Sequence, residues 1–281
     1  MDNNLILKRF FSKGMLQDIL FEKNNSTFNC VIKKYIANPN GKTFKELISE
    51  VYTYMGKKYR TEYYYKNTML NKLLLNSNKY KSRIALTEVP INKSKADFIL
   101  IGRKGVVYEI KTELDNIERL DSQINDYYKA FKNVVIVTYP ENIPKIENSV
   151  SKDVGLMVLT KRNSLKMIRN SNENSSLLDY ETIFKLLRKR EFENIILKYK
   201  MSLPTGSQFM YYKNCLSLIK CIDMERLQKE MIIQLKQRVN LENTESILKV
   251  TSEVRFLAYF DDIIMTQCEE LNLVMNKNFG G

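Results

Sequence analysis

Apolar residues recur at spacings of three and four through residues 4–58, in Leu5-Ile6-Leu7, Phe10-Phe11 and Met15-Leu16-Ile19-Leu20. That is the period of helices with one buried face. Asn38-Pro39-Asn40-Gly41 breaks the pattern as a turn, and Thr43 followed by Glu46 reads as a capping box that opens another helix. Arg60–Leu75 contains neither Gly nor Pro and continues as a helix candidate. The period then shortens. β-rich runs follow at Arg83–Val89, Asp97–Ile101, Val106–Thr112, Val134–Thr138, Leu156–Thr160 and Leu165–Ile168. Between the third and fourth runs, Leu114–Lys132 returns to helical spacing.

This order predicts an α/β protein with a mixed sheet and helices packed on it, its core over residues 60–170. An N-terminal helical region covers 1–59. After a polar linker at Arg169–Ser176, an all-helical C-terminal region runs over 177–281, broken at Leu203-Pro204-Thr205-Gly206. Phe256-Leu257-Ala258-Tyr259-Phe260 is an apolar run expected to dock on a core. No apolar stretch reaches the roughly 18 residues a membrane span needs, so no membrane partner is expected. Charge interrupts the apolar start too soon for a secretory signal, and a cytoplasmic protein is the expectation.

Composition narrows the chemistry. The chain has no histidine, which excludes an imidazole base, His–Asp and Cys–His catalytic arrangements and His-containing zinc sites. Its four cysteines form no Cys-x-x-Cys pair and are expected as buried thiols. The net charge of +13 suits a polyanionic partner, with nucleic acid ahead of a membrane surface. Residues 1–60 hold 11 basic and 5 acidic side chains, and 181–240 hold 12 and 6, so the excess flanks the central segment on both sides.

The central segment carries the candidate chemistry. Ala96–Glu113 reads as two strands around Gly102-Arg103-Lys104-Gly105, with Asp97 near the start of the first. Glu109 and Lys111 lie two apart on the second, and therefore on one face. Two carboxylates and a lysine on a sheet can hold a divalent cation and position a water. Glu109-Ile110-Lys111 is the one Glu-x-Lys triplet in the chain. The plainer alternative is an edge-strand ion pair.

These residues resemble the PD-(D/E)xK nuclease superfamily, with its restriction-endonuclease-like fold. That family places an aspartate on the second core strand and Glu-x-Lys on the third; here Asp97, Glu109 and Lys111 occur in that order, with Ala96 where proline is usual. Gln123-x-x-x-Tyr127 resembles the Gln-x-x-x-Tyr element of its RecB-like branch. Ile84–Val137 is similar to small bacterial proteins described only as nuclease-like.

The resemblance implies Mg²⁺ or Mn²⁺ held by Asp97, Glu109 and the Ile110 carbonyl, with Lys111 acting on the attacking water and Gln123 completing the catalytic set. It adds Glu62, on the helix before the sheet, and Glu88, at the end of the first strand, as further metal ligands. Lys57, Lys58, Arg60, Lys66 and Tyr127 are the expected nucleic-acid contacts. The expected function is metal-dependent phosphodiester hydrolysis, in DNA rather than RNA. The alternative is a non-catalytic nucleic-acid-binding or regulatory protein that keeps the fold. A homodimer or a protein partner on the C-terminal helices is a further expectation.

Strand register tests the site. A four-residue loop at 102–105 puts Phe98 opposite Glu109; a three- or five-residue loop, or a bulge, is needed to bring Asp97 there.

Overall fold

The computed structural model describes residues 5–77, 79–200, 202–239 and 244–280. Parts of the predicted terminal regions, at 1–4, 201, 240–243 and 281, lie outside them. Apolar spacing in the N-terminal region gives helices α1 (Leu7–Phe10), α2 (Lys13–Leu20), α3 (Ser26–Tyr35), α4 (Phe44–Lys58) and α5 (Glu62–Met69). The capping box holds: Thr43 Oγ1 accepts from the Glu46 N–H at 3.2 Å, and Glu46 accepts from the Thr43 N–H at 2.8 Å. Beyond α5 the chain widens into a π-helical turn over Leu70–Leu74, ending the predicted helix early.

Six strands form one mixed sheet in sequence order: β1 (Ile84–Ile91), β2 (Ser94–Ile101), β3 (Gly105–Ile110), β4 (Asn133–Thr138), β5 (Gly155–Leu159) and β6 (Leu165–Arg169). β3, β4 and β5 are parallel neighbours; the other pairs are antiparallel. The parallel step from β3 to β4 needs a crossover, and α6 (Leu120–Tyr128) supplies it. That helix is shorter than Leu114–Lys132. Asp115 accepts from the Thr112 N–H at 2.9 Å and from its hydroxyl at 2.7 Å, folding the first residues of the predicted helix into a turn. Glu113 and Asp115 therefore precede α6 as turn residues.

Helices cover both faces. One core joins the sheet to α6, α8 (Tyr180–Leu186), α9 (Lys189–Lys200), α10 (Gln208–Ile219) and α11 (Met224–Lys236). The opposite core joins α1–α5 to α12 (Arg255–Tyr259), α13 (Asp262–Thr266) and α14 (Cys268–Met275), and the apolar run at 256–260 docks there. The predicted linker is pinned to the sheet: Asn172 N–H donates to the Asp153 carbonyl at 2.9 Å, and Asn174 N–H to that of Lys132 at 2.9 Å. Two of the four cysteines, Cys30 and Cys221, are exposed, against the expectation that all are buried. Among the described residues no helix is long and apolar enough to cross a membrane.

The decisive hairpin is tighter than a count of Gly-Arg-Lys-Gly suggests. Ile101 pairs with Gly105, leaving a three-residue loop at 102–104. A Cβ on Gly105 would meet Phe131 and Ile232 at under 3 Å, so glycine opens β3 because α11 crosses it closely. Continued past Phe98–Tyr108, this register sets Asp97 across from Glu109. On the other side, Thr87 pairs with Phe98 and Val89 with Ala96, while Glu88 and Asp97 stand opposite each other outside the ladder. Glu88 has φ of +56°, a left-handed conformation that costs a non-glycine residue about 1–2 kcal/mol. There the alternation reverses: Ile84 and Leu86 precede it, and Val89 and Ile91 follow it, in the same core.

Candidate active site

Glu109 and Lys111 meet α6 at the C-terminal end of β3. Tyr127 and Gln123, four apart and thus on one helix face, each serve one of them. The Tyr127 hydroxyl donates to Glu109 Oε2 at 2.6 Å, and Gln123 Oε1 accepts from Lys111 Nζ at 2.8 Å. Lys111 Nζ also donates to Glu109 Oε1 at 2.9 Å. Glu109 is only 2% exposed, and a carboxylate can stay ionised at that depth only with such partners. Burial, and then the Glu109 charge, hold the Tyr127 hydroxyl well above the usual phenol range, so it remains a donor.

Asp97 faces this group from β2. Its Oδ2 accepts from the Ile110 N–H at 2.8 Å. Burial first, then the charges of Glu109 and Glu62, push its pKa from 3.8 up to about 8, against the opposing pull of the Ile110 N–H and Lys66. The carboxylates of Glu62 and Glu88 complete a group with Asp97 in which one oxygen from each lies within 4.8 Å of the others. Lys66, one turn along α5 from Glu62, pairs with both Glu62 and Glu88. Burial alone would lower the Lys66 pKa; the Glu62 charge leads the effects that raise it instead. Burial likewise works to raise the pKa of Glu88, but hydrogen bonds from Lys66 and Lys95 bring it below the usual carboxylate range.

The site residues expected from sequence thus divide into two adjoining sets. Glu62, Glu88 and Asp97 form the group able to share a cation, and Glu109, Lys111, Gln123 and Tyr127 form a hydrogen-bonded chain beside it. Glu109 belongs to the second because both its oxygens are taken. Ile110 reaches the site through its N–H.

The expected nucleic-acid contacts need correction. Tyr127 is fully buried, and its hydroxyl also reaches the Lys95 carbonyl at 3.0 Å. Lys66 is buried among carboxylates. Arg60 is spent on Glu113 and on the carbonyls of Leu159 at 3.0 Å and Thr160 at 3.3 Å. Lys57 and Lys58 are exposed at the end of α4. The Tyr63-Tyr64-Tyr65 run packs inward: Tyr63 stacks on Phe11 at 4.6 Å, and Tyr64 and Tyr65 are buried. Asp126, expected as a solvated charge, is buried and accepts from Asn92, from Ser94 at 2.7 Å and from Lys129 at 3.1 Å, tying the β1–β2 turn to α6.

Two basic hollows missed in the sequence flank the site. One, of about 670 Å³, is lined by Glu62, Lys66 and Glu88 with Lys8 and Lys13 from the N-terminal helices. The other, of about 620 Å³, is lined by Lys93, Lys95, Arg119, Gln123 and Lys129. No linear spacing joins these lysines; the basic excess of residues 1–60 was their single trace.

The family profile described as Bacteriophage P4 protein cII matches residues 55–256, a span that holds both sets of site residues. Protein cII of Enterobacteria phage P4 is 22% identical over 160 residues, 56% of this chain and 59% of that protein, so the chain spans under two thirds of that relative. A solved structure of a Silicibacter pomeroyi protein of unknown function aligns with 45% of this chain and 86% of its own, at 13% identity and a TM-score of 0.29, too low to carry an argument. By the extent of the profile match, the chain belongs to the bacteriophage P4 protein cII family.

Proposed function

We propose that the protein is a divalent-cation-dependent nuclease with a restriction-endonuclease-like core, acting on DNA. The observation that carries this reading is the register that sets Asp97 across from Glu109, with Lys111 hydrogen-bonded beside them. The donor set suits a hard dication, being all oxygen. It is also short of positive charge, which is why Asp97 keeps its proton up to about 8. Glu62, Glu88 and Asp97 would hold the cation. When bound, Mg²⁺ or Mn²⁺ would supply Lewis acidity and lower the pKa of a water. Lys111, fixed by Glu109 and Gln123, orients that water and offsets charge growing on the phosphate. Tyr127 keeps Glu109 turned toward Lys111.

A second reading, a binding or regulatory protein without turnover, is favoured by one feature. The Lys66 ammonium already lies among the carboxylates, where it can neutralise them without a metal. Incubating plasmid and linear DNA with Mg²⁺, Mn²⁺ or EDTA, using wild type and Lys111→Ala, separates the two. Cleavage that needs the cation and Lys111 supports the nuclease; cleavage indifferent to either sinks the mechanism; salt-sensitive binding without cleavage favours the second reading. The partner expected on the C-terminal helices rests on less: α9 and α10 expose Leu197, Phe209 and Met210. Comparing the size in solution with that of a Phe209→Ser variant tests whether they are covered.

A further inference from the structure

The hollow of about 670 Å³ beside the carboxylates is walled by parts of the chain far apart in sequence, including Lys8, Phe11 and Phe260. Thr61 also lines it, at 4% exposure, and its Oγ1 is buried without a hydrogen-bond partner. Thr61 precedes α5 in the N-cap position, yet its side chain makes no capping bond. A buried hydroxyl left unpaired is unfavourable, and such groups point to a ligand that satisfies them.

Across Leu114 lies a second hollow of about 360 Å³, lined by Lys57, Lys58, Arg60 and Lys161. Leu114 lines both hollows and is 44% exposed, on the turn that Asp115 pins just after Lys111. An apolar side chain held out between two basic hollows does not suit a duplex backbone, whose bases stay stacked inside. It suits an unstacked base with phosphates on either side.

We propose that an unpaired DNA strand crosses the site along this line. One phosphate lies against Lys8, another against Lys57 and Lys58, a base packs on Leu114, and the Thr61 hydroxyl donates to the strand between them. The path rests on the nuclease reading in that it brings a phosphate to Asp97 and Lys111. It also makes the enzyme one for single strands or frayed ends.

Fluorescence anisotropy with the full wild-type chain in EDTA tests the path without cleavage, comparing a single-stranded oligodeoxynucleotide with a blunt duplex of equal length. The single strand should bind about 10-fold more tightly, and Leu114→Ala should erase most of that preference. Thr61→Val should weaken single-strand binding about 5-fold while raising the melting temperature, since it removes a hydroxyl unpaired in the free protein. Lys57→Glu with Lys58→Glu should flatten the salt dependence of binding. Equal affinity for both DNAs, or a preference untouched by Leu114→Ala and Thr61→Val, overturns the path. Tighter binding of RNA of the same sequence overturns the choice of DNA. Cation-dependent cleavage without strand preference removes the path and leaves the nuclease. Strand preference without cleavage does the reverse.

Discussion

Replacing Asp97 by asparagine removes the group on which the electrostatics of the site turn. Burial and the charges of Glu109 and Glu62 raise its pKa from 3.8 to about 8. A carboxyl that holds its proton more tightly folded than unfolded contributes stability that is full below the unfolded value. That contribution is lost as pH rises through the folded value. The wild type should therefore lose stability between about pH 4 and pH 8. An asparagine in its place carries no charge and can still accept from the Ile110 N–H, so the variant should not. At about 1.4 kcal/mol per factor of ten in proton affinity, the whole displacement is on the order of 5 kcal/mol. Asp97 is half-buried and Glu62 and Glu88 are exposed, so solvent screening brings the realised figure to about 2–3 kcal/mol. In a chain this long 1 kcal/mol moves the melting temperature by about 2–4 °C. Asp97→Asn should accordingly melt about 4–8 °C above wild type at pH 8.5 in EDTA, with most of the gap closed at pH 4.5. The chain has no histidine, so no imidazole titrates in this window. The charged groups facing Asp97 are Glu62 and Lys66 on α5, Glu88 on β1, and Glu109 on β3. Thermal unfolding followed by circular dichroism gives the curves. Parallel profiles for the two proteins across that range would refute the reasoning.

Saturating Mn²⁺ should flatten the wild-type slope and add about 2.7 kcal/mol of stability at 100 times Kd, with little response from Asp97→Asn; equal calorimetric binding by both excludes Asp97 as a ligand. Lys66→Met leaves three carboxylates facing one another and should cost about 3 kcal/mol in EDTA, an effect Mn²⁺ restores; a metal-independent loss assigns Lys66 to packing alone. Tyr127→Phe strips Glu109 Oε2 of its donor and should cost about 1–3 kcal/mol in denaturant titration, whereas a neutral outcome means Glu109 is satisfied elsewhere. Asp126→Ala should speed amide exchange in the β1–β2 hairpin ahead of the other strands, and uniform exchange would deny that it anchors the turn.

Much of the architecture was legible because it is written in local period. Alternation in Ile84–Val89 and Val134–Thr138 marked strands, the Thr43–Glu46 pair marked a helix start, and both are where they were expected. What local period does not encode is how far a helix runs when a side chain offers the backbone something better. Asp115 captures the Thr112 N–H, so the helical spacing from Leu114 onward is overruled until residue 120. Nor does period show that helices at the two ends of the chain share one core, since Phe11, Tyr63 and Phe256 meet only in the fold.

The site was legible where it is a hairpin and a helix turn, and obscure where it is assembled. Asp97, Glu109, Lys111, Gln123 and Tyr127 lie within one βαβ stretch, and two numbers, the loop length and the helix repeat, bring them together. The loop length was the harder one, because it depends on Gly105 yielding to Phe131 and Ile232, contacts no spacing records. Burial decided the roles after that. A lysine reads the same in sequence whether it meets solvent or carboxylates, so Lys57 and Lys66 looked alike; one is exposed and the other buried against Glu62 and Glu88. The kink at Glu88 shows the same dependence. Its left-handed φ has no sequence signal, since glutamate is poorly suited to it, and the conformation is held by Lys66 and Lys95 gripping the carboxylate. The strain therefore belongs to the ion pairs. Releasing them through Lys66→Met together with Lys95→Met should let Glu88 relax toward extended backbone and draw its carboxylate away from Asp97.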